Sequence, residues 1–107
     1  MFDGPSAASR LKFEWDPAKN RSNIRNHGFD FADAEEMFRG LLIVDPDTRE
    51  EYGEGRWIGI GTIRGRIAHL VFTQRDPQTV RIISLRKATG RERKEYEKAI
   101  QDRLEAG

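Results

Sequence analysis

The chain has 107 residues, 36% of them hydrophobic and 35% charged, and a net charge of +1 with no cysteine. That length suits one domain with a modest core. The missing cysteines exclude disulfides, thiolate nucleophiles and cysteine-based zinc sites, and they fit a reducing cytoplasm. No apolar run approaches the roughly 18 residues of a membrane helix. Residues 1–10 lack an apolar signal core, so a flexible N-terminal tail is expected ahead of a single domain over 11–107. The charge is unevenly placed: residues 1–63 carry 8 Lys/Arg against 12 Asp/Glu, and residues 64–98 carry 10 against 4. The basic half is either a solvated surface or an electrostatic footprint for nucleic acid. The acidic half could face a basic protein.

Taken in order, Lys12-Phe13-Glu14-Trp15 alternates polar and apolar residues, as a short strand does. Asp16 then Pro17 is an N-cap followed by a first-turn proline, and Gly28 is a helix stop, so a helix is expected from Pro17 to about Asn26. Asp30 is a second N-cap. Phe31, Ala34, Met37 and Phe38 follow at helical spacing as a core stripe, closed by Gly40. Leu41–Val44 reads as a strand stopped by Asp45-Pro46-Asp47, and residues 48–55 as a loop.

Three further strands are expected: Trp57–Ile63, Ile67–Thr73 and Val80–Leu85. A tight turn at Arg64-Gly65 and a longer one over Arg75–Gln78 join them into an antiparallel meander. Alternation groups Ile58 and Ile60 with Ala68, Leu70 and Phe72 on a helix-covered face. It leaves Gly59, Gly61, His69, Val71 and Thr73 on the other, with the glycines as a shallow floor open to a ligand. On the last strand it groups Val80 and Ile82 with Ser84 and Arg86, against Arg81, Ile83 and Leu85. Thr89-Gly90-Arg91-Glu92 has the form of a capping box, with a helix to about Leu104 behind it. The order β-α-α-β-β-β-β-α implies an α+β fold: a small antiparallel sheet with helices packed on one face. Arg64, Arg66, Arg75, Arg81 and Arg86 lie at the corners and ends of the meander, which suggests a phosphate-rich partner.

The ordered set Phe13-Glu14-Trp15-Asp16, Lys19, Asn23 and His27-Gly28 resembles the opening of the BrnT toxins of bacterial type II toxin–antitoxin systems. Arg56-Trp57-Ile58-Gly59, Gly65-Arg66, Arg75, the run from Arg81 to Ala88, Glu92-Arg93 and Tyr96 are similar to the family's second half. The resemblance spans roughly residues 12–98. Leu85 stands where the family usually has a small residue, and His69 where a hydrophobic one is typical. The resemblance implies a RelE-like fold and a cytoplasmic endoribonuclease that blocks translation. It also implies neutralisation by a BrnA-type antitoxin with a ribbon-helix-helix end, so that operator DNA is met only through the antitoxin. A heterotetramer of two toxins and two antitoxins is the expected assembly.

Metal-independent RNA cleavage needs a base for the 2′-OH, a cation for the phosphorane and an acid for the leaving 5′-oxygen. Arginine suits the second role, and Arg86, ending a strand beside Ser84, is the first choice. The expected catalytic set is Arg86, Ser84, Arg75, His27 and Tyr96. Arg64, Arg66, Arg81, Lys87 and Lys19 are expected to hold RNA phosphates. The base and acid stay open among His27, His69, Lys19, Glu14, Glu54 and Tyr96. His27 could equally be a helix cap, and His69 and Tyr96 packing residues. No metal-ligand spacing and no glycine-rich phosphate loop occurs, so neither metal nor cofactor is expected. The alternatives are a non-catalytic nucleic-acid-binding module and a protein-interaction module.

Overall fold

Two tight connections and one long crossover set the architecture of the computed structural model, which describes residues 11–49, 51 and 53–106. The expected tail over residues 1–10 lies outside the described residues. The elements are β1 (Lys12–Glu14), α1 (Pro17–His27), a 3-10 turn (Phe31–Asp33), α2 (Ala34–Arg39), β2 (Ile43–Pro46), β3 (Trp57–Ile63), β4 (Arg66–Asp76), β5 (Thr79–Lys87) and α3 (Gly90–Ala106). The α+β class and the element order agree with the sequence expectation. No helix among the described residues is long and apolar enough to cross a membrane.

Local chemistry sets most of the boundaries. Asp16 accepts a hydrogen bond from the Ala18 N–H at 2.9 Å, and Gly28, at φ 75°, closes α1 by donating its N–H to the Ile24 carbonyl. At α3 the capping box is complete. The Glu92 N–H donates to Thr89 Oγ1 at 3.2 Å, and the Thr89 N–H donates to Glu92 Oε1 at 2.8 Å.

The strands lie in the order β1-β5-β4-β3-β2. From β2 to β5 all pairing is antiparallel, but β1 joins β5 in parallel, so the sheet is mixed rather than wholly antiparallel. A strand joined to its neighbour by a tight turn must run antiparallel to it. Nothing local joins β1 to β5: the chain leaves β1, crosses by way of α1 and α2, and enters the sheet again at its far edge. On the crossover side Phe29, Phe31, Met37 and Phe38 pack against Ala68, Leu70, Phe72, Val80, Ile82 and Leu85. An edge-to-face series ties the layers, Phe13 to Phe38 at 5.2 Å and Phe38 to Phe72 at 5.3 Å between ring centroids.

The expected facing of β3 is reversed. Arg64 (φ 47°) and Gly65 (φ 79°) form a two-residue turn, and Ile63 pairs with Arg66. That register sets Gly59 opposite Leu70 and Gly61 opposite Ala68. The glycines therefore lie on the helix-packed face, and Ile58 and Ile60 share the second face with His69 and Val71. The expected ligand floor is filled from above. A Cβ on Gly59 would sit 3.1 Å from Leu42 Cδ1, and one on Gly61 3.2 Å from the same atom and 3.4 Å from both the Leu41 carbonyl oxygen and Met37 Cβ. Gly61→Val is accordingly expected to lower unfolding stability by about 1–3 kcal/mol through overpacking. A urea titration checks this: the midpoint should fall with the m-value unchanged.

The expected facing of β5 changes within the strand. Phe72 pairs with Ile82, but its neighbour Val71 pairs with Ser84, so Ile83 is the extra residue of a β-bulge. Val80, Ile82 and Leu85 face the core, while Arg81, Ser84 and Arg86 face the other way. The helices are not all on one face either. Glu92 at the start of α3 meets His69 and Arg86, and the Thr62 hydroxyl bonds to the Tyr96 phenol, all from the second face. Tyr96 itself is buried and donates to the Leu41 carbonyl at 2.8 Å, which latches α3 to the segment ahead of β2.

Candidate active site

The bulge decides what Arg86 can touch. It places Arg86 directly across from His69 on β4, under the first turn of α3. Arg86 donates from Nη1 to Glu92 Oε1 at 2.9 Å and from Nη2 to Glu92 Oε2 at 3.0 Å, a two-pronged ion pair. Its Nη1 also donates to the Lys87 carbonyl at 3.1 Å. His69 Nε2 lies 3.7 Å from Glu92 Oε2, on the other flank of the same carboxylate.

The electrostatics follow from this packing. Burial pushes the Glu92 carboxyl up. The Arg86 and Thr89 hydrogen bonds, with the Arg86 charge and that of a His69 protonated only at acid pH, outweigh burial and hold it at about 2. His69 is 4% exposed, and its Nδ1 has no hydrogen-bond partner among the described residues. Burial and then the Arg86 charge lower its pKa. Glu92 opposes them and Arg49 adds to the depression, so the ring is neutral at neutral pH. Arg49 comes from the segment after β2. It donates from Nε and Nη2 to the two oxygens of the buried Asp47 carboxylate, each at 2.8 Å.

Further along the same face, Glu14 of β1 accepts from Arg81 at 2.7 Å and from Arg75 at 3.3 Å. The Arg81 bond is the main reason its pKa is lowered. Ser84 lies between Arg81 and Arg86 on this face. Among the described residues no three His, Cys, Asp or Glu side chains converge as a set of metal ligands.

Of the residues the sequence suggested, Arg86, Ser84, Arg81 and Arg75 are brought to one side of the sheet. The others are not. Lys19 and His27 line a shallow groove with Ser22, Asn23, Asn26 and Ile83 between α1 and the free edge of β5. Tyr96 is buried with its phenol hydrogen-bonded, and burial raises its pKa. Arg64 at the β3–β4 turn pairs with Asp33 at 3.2 Å, and the Arg66 guanidinium lies over the Phe29 ring at 4.6 Å. Lys87 pairs with Ala68, a core-face position at the end of its strand.

Three participants escaped sequence reasoning. Glu92 was legible as the acid of a capping box and as part of the family resemblance, and neither says that the carboxylate also reaches a strand. Asp47 and Arg49 looked like turn residues. Their two-residue spacing was the one signal that a carboxylate and a guanidinium could pair there.

Fold and site together define a small α+β domain in which arginines, each oriented by a carboxylate, gather on one face of a mixed sheet. That is the equipment of a protein that handles phosphate esters. A family model described as the ribonuclease toxin, BrnT, of type II toxin–antitoxin systems matches residues 15–92, and the chain belongs to this family. The matched span contains Arg86, His69, Arg49 and Glu92 and ends at Glu92. The 1.1 Å crystal structure of the Brucella abortus ribonuclease toxin BrnT is similar, with a TM-score of 0.60 and 30% sequence identity over 74% of this chain and 97% of that one. No curated protein matches the chain in sequence. The family is one of ribonuclease toxins, and a toxin of this type has a protein antitoxin as its partner.

Proposed function

We propose that the chain is a metal-independent, RelE-like endoribonuclease that cleaves RNA in the cytoplasm, thereby blocks translation, and is neutralised by a BrnA-type antitoxin in an assembly of two toxins and two antitoxins. The observation that carries the catalytic part is Arg86, a partly exposed guanidinium fixed by Glu92 on the same face as Ser84, Arg81 and Arg75. In this reading a ribose 2′-oxygen attacks the adjacent phosphorus and the bond to the 5′-oxygen breaks. Arg86 carries the negative charge that builds on the phosphorane, in a setting where a fixed cation needs little reorganisation. Arg81 and Arg75, anchored on Glu14, take flanking phosphates, and such contacts make RNA binding salt-dependent. The route through the 2′-oxygen leaves a 2′,3′-cyclic phosphate or its hydrolysis product.

The test is cleavage of total RNA by the purified protein in EDTA, with the new 3′ ends identified. Cleavage with cyclic or 3′-phosphate ends is expected. Folded protein that binds RNA in a salt-sensitive way but leaves it intact would be a binding module instead.

A further inference from the structure

A guanidinium has five N–H groups, and the structure accounts for three of those on Arg86. Nη1 donates to Glu92 and to the Lys87 carbonyl, and Nη2 donates once, to Glu92. Nε–H and the second Nη2–H have no partner among the described residues. Those two N–H groups lie parallel along one edge of the planar fork, at the spacing that matches two oxygens of a phosphate. The Arg86 side chain is 32% exposed, so a ligand has a way in.

Glu92 takes the end of the fork and leaves that edge open. It is itself held from two sides, by Arg86 and by the Thr89 N–H, with the His69 ring alongside at 3.7 Å. At 3.7 Å the His69 Nε2 lies beyond hydrogen-bond distance of Oε2, which stays with Arg86 Nη2 at 3.0 Å. We propose that Glu92 is the positioning residue of Arg86, anchoring the end of its guanidinium so that the Nε–Nη2 edge is presented to an RNA phosphodiester. This rests on Arg86 being the phosphate-binding group of the ribonuclease. A carboxylate at the first turn of α3 thereby serves two ends at once, capping the helix and aiming an arginine on a strand.

The two roles separate in Glu92→Gln. Glutamine serves in a capping box as glutamate does, but it has no charge and offers a single acceptor to the fork. Glu92→Gln should stay folded but melt somewhat earlier, since the ion pair that depresses the carboxyl is lost, while kcat for RNA cleavage at a temperature where it is folded falls on the order of 10²-fold, the scale of a misplaced reacting group. Thr89→Ala, which removes the hydroxyl half of the capping box but keeps the Thr89 N–H bond to the Glu92 carboxylate and the ion pair, should melt earlier and keep its kcat. In an Arg86→Ala background Glu92→Gln should cost nothing more, because the group it aims is gone.

Wild-type kcat in Glu92→Gln, with Arg86→Ala inactive, would overturn the proposal and leave the ribonuclease reading standing. So would a Glu92→Gln loss that persists in the Arg86→Ala background, or a Thr89→Ala loss of kcat as large. Cleavage by Arg86→Ala at the wild-type rate would remove the ribonuclease site itself.

Discussion

Arg86→Ala should lower kcat for RNA cleavage by on the order of 10²–10³-fold, the range seen when one preorganised donor to a transition-state oxyanion is removed. KM should change less, because in the proposed reading Arg81 and Arg75 still meet the flanking phosphates and Arg86 works hardest on the charge that appears as the phosphorane forms. Circular dichroism should show the fold intact: the variant leaves the Glu92 carboxylate with the Thr89 N–H and the His69 ring as neighbours. The same change has a pH signature. In the wild type His69 holds its proton less tightly than in an unfolded chain, whose histidine titrates near 6.5. As pH falls below about 6.5 the unfolded chain therefore binds a proton that the folded one refuses, and stability is lost. Removing Arg86 removes a repelling cation and leaves an attracting carboxylate, so the acid-side loss should shrink. Denaturant titrations of both proteins from neutral pH down to about 5 measure it. A kcat within twofold of wild type would eliminate Arg86 from the chemistry.

Asn23→Ala should cost about 3–5 kcal/mol of unfolding stability, because it strands three buried backbone groups at 1–3 kcal/mol each and the fold recovers part of that. Asn23 is 6% exposed on α1. Its Nδ2 donates to the Phe29 carbonyl at 2.9 Å and to the Leu85 carbonyl at 2.7 Å, and its Oδ1 accepts from the Leu85 N–H at 3.2 Å. The reason is topological. β1 ends at Glu14, opposite Arg81, so Leu85 has no strand on that side of β5. The Asn23 amide takes its N–H and its C=O as a neighbouring strand would. Leu85 follows the bulge and precedes Arg86, so loss of this bracket should also slacken the site and lower kcat. Urea denaturation gives the stability, and a loss under 1 kcal/mol would show that the bracket does little. Asn23→Asp should be destabilised as well, since it keeps the acceptor but loses both donations and buries a charge.

Why some of this was legible and some not is plain in particular residues. The alternation in β3 was misleading because Ile58 and Ile60 are apolar and Gly59 and Gly61 neutral, so the isoleucines looked like the core face. The Arg64-Gly65 turn held the contrary information: two residues between Ile63 and Arg66 force even positions of β3 against odd positions of β4. Turn length outranks alternation, since it fixes hydrogen-bond pairing directly. In β5 no such signal existed. Ile82 and Ile83 are both apolar, and a one-residue bulge between them leaves the pattern unchanged while turning Ser84 and Arg86 to the opposite face.

The sequence by itself determined what neighbours along the chain can decide: the starts and stops at Asp16, Gly28 and the Thr89–Glu92 box, the apolar runs that become strands, the order of elements, and the residues whose succession identifies the family. The tertiary structure decided what depends on partners far apart in the chain: the parallel seat of β1, the crossing of α3 to the second face, the bulge at Ile83, and the meeting of His69, Arg86 and Glu92. Caps and turns are paid for within a few residues, so the local sequence carries them. Register and facing are settled only when whole strands bury their apolar sides together, and a single inserted residue there costs the pattern nothing while it redirects the arginine on which the proposed chemistry depends.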